Sequence, residues 1–136
     1  MTTGQGASGA EPCPPGPAGT LMERLGITVQ EVTPATARGS MPVAGNTQPH
    51  GMLHGGASAA LVETLGSLAA SAHAGPDRRA VGIELGVTHH RSASQGLVHA
   101  VAAAAHLGRS LASYQVTVRD DGGQLIASGR LTCMLL

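Results

Sequence analysis

Residues 55–74, GGASAALVETLGSLAASAHA, are apolar or small at nearly every position until Gly75–Pro76 breaks the run. Leu61, Leu65 and Leu68 recur at i, i+4 and i+7, which predicts a helix over Gly55 to Ala74 with one apolar stripe. Gly66 and Ala70 share the other side with Glu63, and Ser67 stands one turn beyond it. Such a helix is apolar or small almost all round, as expected of one enclosed by a sheet. Upstream, LMERLG (21–26) predicts a short helix closed by Gly26. Residues 27–43 alternate, Ile27, Val29 and Glu31 against Thr28, Gln30 and Val32, and predict two strands joined at Thr33–Pro34. AGNTQPHGMLHGG (44–56) is a loop, long for a plain connection, and long loops in small domains tend to carry function.

Three further apolar runs follow the helix, at 80–92, 96–108 and 110–136. The last divides at Asp121–Gly122–Gly123, a strong hairpin signal, and short turns are expected at Ser94–Gly96 and Gly108–Ser110. The order predicts an α+β fold, an antiparallel sheet wrapped around one long central helix, with the last four strands as a meander. Residues 1–19 are rich in Gly and Pro with almost nothing to bury, and are expected to be a disordered tail ahead of a folded domain at 20–136.

Composition sharpens this picture. There is no Phe or Trp, and Tyr114 is the single aromatic, so the core must be built from Leu, Val, Ile, Met and Ala. These bury less area per residue, and oligomerisation is expected to supply part of the buried surface. Acids and bases balance at eight each and no lysine is present, which argues against nucleic acid or an anionic membrane as partner. Cys13 and Cys133 lie at opposite ends without metal-type spacing. Neither a secretory signal nor a membrane span is indicated, so a cytoplasmic location is expected.

The candidate chemistry centres on the helix. An ionised carboxylate in an apolar helix costs several kcal/mol unless something stabilises it, and Glu63 is the only acid between Glu31 and Asp77. It is either a structural carboxylate tied into hydrogen bonds or a nucleophile or general base facing a cleft. His54, Gly55 and Gly56 open the helix, where unpaired N–H groups suit a developing oxyanion and glycine permits close approach. His50 and His54 have i, i+4 spacing, but Gly51 occupies the place of a zincin's glutamate, so no metal site is indicated.

QPHGMLHGGASAALVETLGSLAA, VGIELGVTHHRSA and AHLGRSLASYQVTVRDDGGQLIASGRLT resemble the hot-dog-fold acyl-CoA thioesterases. They are most similar to the glutamate-using group that includes the 1,4-dihydroxy-2-naphthoyl-CoA, enterobactin-proofreading and 4-hydroxybenzoyl-CoA enzymes. The resemblance covers residues 20 to 136 and implies hydrolysis of an aryl or other bulky acyl-CoA to free acid and CoA. It implies a dimer, or a tetramer of paired dimers, with sites at the dimer interface and no cofactor. By that resemblance Glu63 is the nucleophile or general base, the Gly55 N–H the oxyanion donor, and His54 its support. Gln48 is read as donating to the thioester or positioning the water, against an exposed loop glutamine, and Ser67 as holding the attacking water or Glu63 itself, against a small helix-packing serine. His89 and Arg91 are expected on one face of their strand, toward substrate, with His90 turned away. Gly108, Arg109 and Ser110 form a turn suited to CoA phosphates. Two other readings stay open: a thioesterase acting on carrier-protein-bound acyl groups in a biosynthetic pathway, and a non-catalytic acyl-CoA-binding module.

Overall fold

The protein is described by a computed structural model covering residues 18–136; nearly all of the expected tail, with Cys13, lies outside those residues. In chain order the elements are α1 (Leu21–Leu25), β1 (Thr28–Val32), β2 (Thr36–Pro42), α2 (Gly55–Ala74), β3 (Ala80–His89), β4 (Leu97–Leu107), β5 (Leu111–Asp120) and β6 (Leu125–Leu135). The Thr20 hydroxyl accepts the Glu23 N–H to start α1, and Gly26, at φ 71°, closes it in the left-handed region. In β1 the expected alternation holds as far as Val29. A bulge between Val29 and Glu31 then shifts the strand, and Val32 packs partly against the core.

All six strands pair antiparallel in the order β1-β2-β4-β5-β6-β3. The last four strands are therefore not a meander. Only β4, β5 and β6 follow one another, while β3 lies beyond β6 at the far edge. The reason is that β4 already has both neighbours: Met41 of β2 pairs with Val98 on one side, and Ala100 pairs with Val118 of β5 on the other. Residues 90–96 are a crossover and not a hairpin turn. They run beneath the start of α2, where the Leu53 N–H donates to Ala93 O and the Val43 N–H to Gly96 O.

Helix α2 lies across the sheet and buries Ala57, Ser58, Leu61, Val62, Leu65, Gly66, Ala69 and Ala70. Leu61 and Leu65 are fully buried as the apolar stripe predicts, but Leu68 is only half-buried. The helix is not enclosed all round. Ala60, Glu63, Thr64, Ser67, Leu68 and Ser71, also spaced by three and four, line an open cleft with Leu21 of α1. Close approach of helix and sheet depends on small residues: a Cβ on Gly129 would stand 2.8 Å from Val62, and one on Gly66 would stand 2.6 Å from Leu131.

Each fully buried leucine contributes about 1.5–3 kcal/mol, and the many alanines of this core contribute much less. Tyr114 is the largest fully buried side chain, and its hydroxyl donates to Pro34 O at 2.6 Å. Burial, with the Cys133 thiol beside it, pushes this phenol up to about 12. Among the described residues no helix is long and apolar enough to cross a membrane.

Candidate active site

The start of α2 carries one uncommitted donor. His54 is the N-cap residue, and its Nδ1 accepts the Gly56 N–H at 2.8 Å. The Ala57 and Ser58 N–H groups donate back to His54 O. Among the described residues that leaves the Gly55 N–H without an acceptor, at the positive end of a 20-residue helix. Glycine lets the His89 ring lie close at this position: a Cβ there would stand 2.9 Å from His89 Nε2 at the end of β3.

Gly55 opens into a cleft of about 420 Å³, lined also by Gln48, Ser58, His89, His90, Arg91 and the crossover residues Ser92 and Ala93. Within the loop, Gln48 Oε1 accepts the His50 N–H, and the Gln48 N–H donates to Met52 O at 2.8 Å. Gln48 Oε1 is thus occupied as an acceptor, which leaves its amide NH₂ to donate. Asn46, buried, holds this loop to the body. Its side-chain amide donates to Leu25 O and Pro42 O, and its carbonyl accepts the His54 N–H.

The expected alternation of His89 and Arg91 against His90 fails. β3 ends at His89, and the His90 and Arg91 N–H groups both donate to Ile126 O, at 2.7 and 3.2 Å. Two successive donors on one acceptor break the two-residue period, so all three side chains line the same cleft. His90 is exposed, with Nε2 at 2.8 Å from the Ser128 hydroxyl.

Glu63 and Ser67 lie elsewhere, together in the second cleft, also of about 420 Å³, on the open face of α2. Eight residues of helix, about 12 Å, separate Glu63 from Gly55. Glu63 is half-buried, and among the described residues neither a hydrogen bond nor an ion pair reaches its carboxylate. Several other acids are committed: Glu31 pairs with Arg38 at 3.1 Å, and Asp121 with His99 at 2.7 Å. On the outer sheet face Arg130 Nε donates to Glu84 at 3.0 Å, which holds that carboxyl below its usual range.

Cys133, which its spacing left without a role, is fully buried beside Ser67 and Glu63. Burial pushes its thiol up, the adjacent Ser67 hydroxyl draws it back, and the Glu63 charge raises it again. Its inward position on a strand of alternating burial was the available signal.

The turn at Gly108, Arg109 and Ser110 is at the other end of α2, where His73 Nε2 lies 2.7 Å from Gly108 O. One helix length, about 30 Å, therefore separates it from Gly55 within the chain. A single chain thus brings Gln48, Gly55, His89 and Arg91 together but does not bring Glu63, Ser67 or the 108–110 turn to them. Among the described residues no three His, Cys, Asp or Glu side chains converge as metal ligands would.

Residues 50–127 match the model of the thioesterase superfamily. The proofreading thioesterase EntH of Cronobacter sakazakii is 40% identical over 119 residues, covering 87% of this chain and 87% of that protein. This chain belongs to the thioesterase superfamily. As a thioesterase it has the hot-dog fold expected from its residues, the six-stranded antiparallel sheet around α2. The crystal structure of a Haemophilus influenzae thioesterase superposes with a TM-score of 0.83 at 33% identity, covering 88% of this chain and 84% of that one. A Staphylococcus aureus thioesterase has been solved with a glutamine replaced by alanine, TM-score 0.80 at 34% identity, covering 85% of this chain and 97% of that one. The same protein with a glutamate replaced by alanine gives 0.81 at 33% identity, covering 86% and 98%.

Proposed function

We propose that this thioesterase hydrolyses acyl-CoA esters, aryl or otherwise bulky, at a site completed by a second copy of the chain. The observation that carries the proposal is the Gly55 N–H, without an acceptor among the described residues, at the positive end of α2 and opening into a cleft beside the Gln48 amide. The thioester carbonyl accepts hydrogen bonds from both donors, which strengthen as the oxygen becomes an oxyanion. Glu63 of the second copy delivers the attack on the carbonyl carbon. It does so with its own oxygen, giving an acyl-enzyme anhydride that water then opens, or by deprotonating a water that attacks directly. Either path expels the thiolate and ends in free acid and thiol. Ser67, one turn from Glu63, holds the water or the carboxylate.

Two features support a second copy. Among the described residues no strand covers the outer edge of β3, where Ile83 and Leu85 are exposed, at 52% and 38%, and an open apolar edge is a template for pairing. Two-fold pairing through that edge sets the two α2 helices antiparallel. The middle and the C-terminal end of one helix then approach the N-terminal end of the other. Glu63 and the Gly108–Arg109–Ser110 turn of one copy thereby come toward Gly55 of the next, with Arg91 and Arg109 available to CoA phosphates. The replaced glutamine and glutamate of the Staphylococcus aureus thioesterase stand fifteen residues apart, the spacing of Gln48 and Glu63 here. The alternative reading of a carrier-protein thioesterase makes carrier-bound thioesters the natural comparison substrates.

Thiol release from aryl-CoA, aliphatic-CoA and aryl-carrier-protein esters tests the reading. Turnover of at least one CoA ester is expected to exceed that of its carrier-bound counterpart, and Gln48→Ala is expected to lower kcat about 100-fold. Inertness toward every CoA ester, or full activity of Gln48→Ala, would contradict it.

A further inference from the structure

Gly82 of β3 pairs directly with Cys133 of β6. It is not among the glycines with positive φ, so its backbone is one that any residue adopts. What a side chain here would disturb is the space taken by a neighbouring side chain. A Cβ on Gly82 would stand 2.8 Å from Glu63 Oε1 and 3.4 Å from Leu131 Cδ1. Gly66, Gly129 and Gly39 also forbid a side chain, but the atoms nearest them belong to packed apolar side chains or to backbone, and helix–sheet approach explains them. Only at Gly82 is the nearest group the carboxylate tip of the candidate attacking residue. Gly82 is itself exposed on the edge strand, and the one packed side chain that a methyl there would meet, the buried Leu131, stands at 3.4 Å, an ordinary contact, so the carboxylate is the group that must move. The neighbours reinforce the assignment: the buried Cys133 across the pair touches Ser67, which lines the same cleft as Glu63.

We propose that Gly82 is a positioning residue for thioester hydrolysis: lacking a side chain, it lets the Glu63 carboxylate lie against β3 and so fixes the direction of its attack. This rests on Glu63 being the attacking group. The far end of a glutamate moves easily, so a methyl at residue 82 swings the carboxylate away and leaves the strand in place. A glycine replaced at a compatible backbone position also loses less entropy on folding, so stability is held or rises.

Gly82→Ala tests this on the full chain, with Glu63→Ala measured in parallel. For Gly82→Ala, kcat is expected to fall about 100-fold, the effect of roughly 1 Å of misplacement, with KM little changed. Tm is expected to be unchanged or higher, and assembly size the same. Its crystal structure is expected to show the carboxylate displaced over a superimposable β3. Wild-type kcat in Gly82→Ala beside an inactive Glu63→Ala overturns the seat and leaves the function standing. A fall in kcat accompanied by a lower Tm, a shifted β3 or loss of assembly also overturns it, since the glycine is then structural. Full turnover by Glu63→Ala removes the underlying assignment itself.

Discussion

Glu63→Ala is expected to lower kcat for thioester hydrolysis about 1,000-fold or more, at the upper range for a positioned acid–base group. KM and stability are expected to change little. The two halves of this expectation come from the same facts. Glu63 is half-buried and without a partner among the described residues, whereas Glu31 and Glu84 each pair with an arginine and Asp121 is held by the His99 ring. A carboxylate kept to stabilise a helix is tied into hydrogen bonds, and removing it leaves its partners stranded. Removing Glu63 strands nothing, while under the proposed function the chemistry loses its attacking oxygen. Single-turnover and steady-state kinetics with urea unfolding of the same variant measure both halves. Turnover kept with stability lost would make Glu63 structural.

Tyr114→Ala is expected to destabilise the fold by about 3–5 kcal/mol, the range for truncating a large buried aromatic. Tyr114 is fully buried on β5, paired with Ala104 of β4 and Leu131 of β6. The chain has no Phe or Trp, so no neighbour is bulky enough to collapse into the space. Loss of the hydroxyl also leaves Pro34 O without its donor, about a further 1 kcal/mol. Urea unfolding at fixed protein concentration is expected to show a lower midpoint with an unchanged slope. A loss below about 1 kcal/mol would mean that the core repacks around alanine.

Some of the molecule was legible in its sequence, and the reasons differ by element. The limits of α2 were readable because Gly75–Pro76 stops a helix locally and GGASAALVETLG starts one locally. The strands were readable from alternation, but their neighbours were not. Alternation states which face of a strand is buried and says nothing about whether β3 sits beside β4 or beside β6. That choice follows from β2 having already taken the free edge of β4. The failure at His89–Arg91 is similar: a period of two assumes one acceptor per residue, and Ile126 O accepts from two in succession. Cys133 carried no signal in its spacing because its neighbours, Gly82 across a strand pair and Ser67 on the helix above, are distant in the chain. The roles proposed for Gln48, Glu63 and the 108–110 turn rest on family resemblance, since no spacing along the chain encodes the proposed meeting between two copies.

The shared site is the central claim, and mixing two inactive variants tests it most directly. Glu63→Ala and Gln48→Ala chains, unfolded and refolded together in equal amounts, produce mixed dimers with one site that draws intact Glu63 and intact Gln48 from different copies. Activity of the mixture is expected to rise to about a quarter of wild type, because half the dimers are mixed and each carries one working site of two. A mixture no more active than the average of its parents would place Glu63 and Gln48 in the same chain's site and contradict the account.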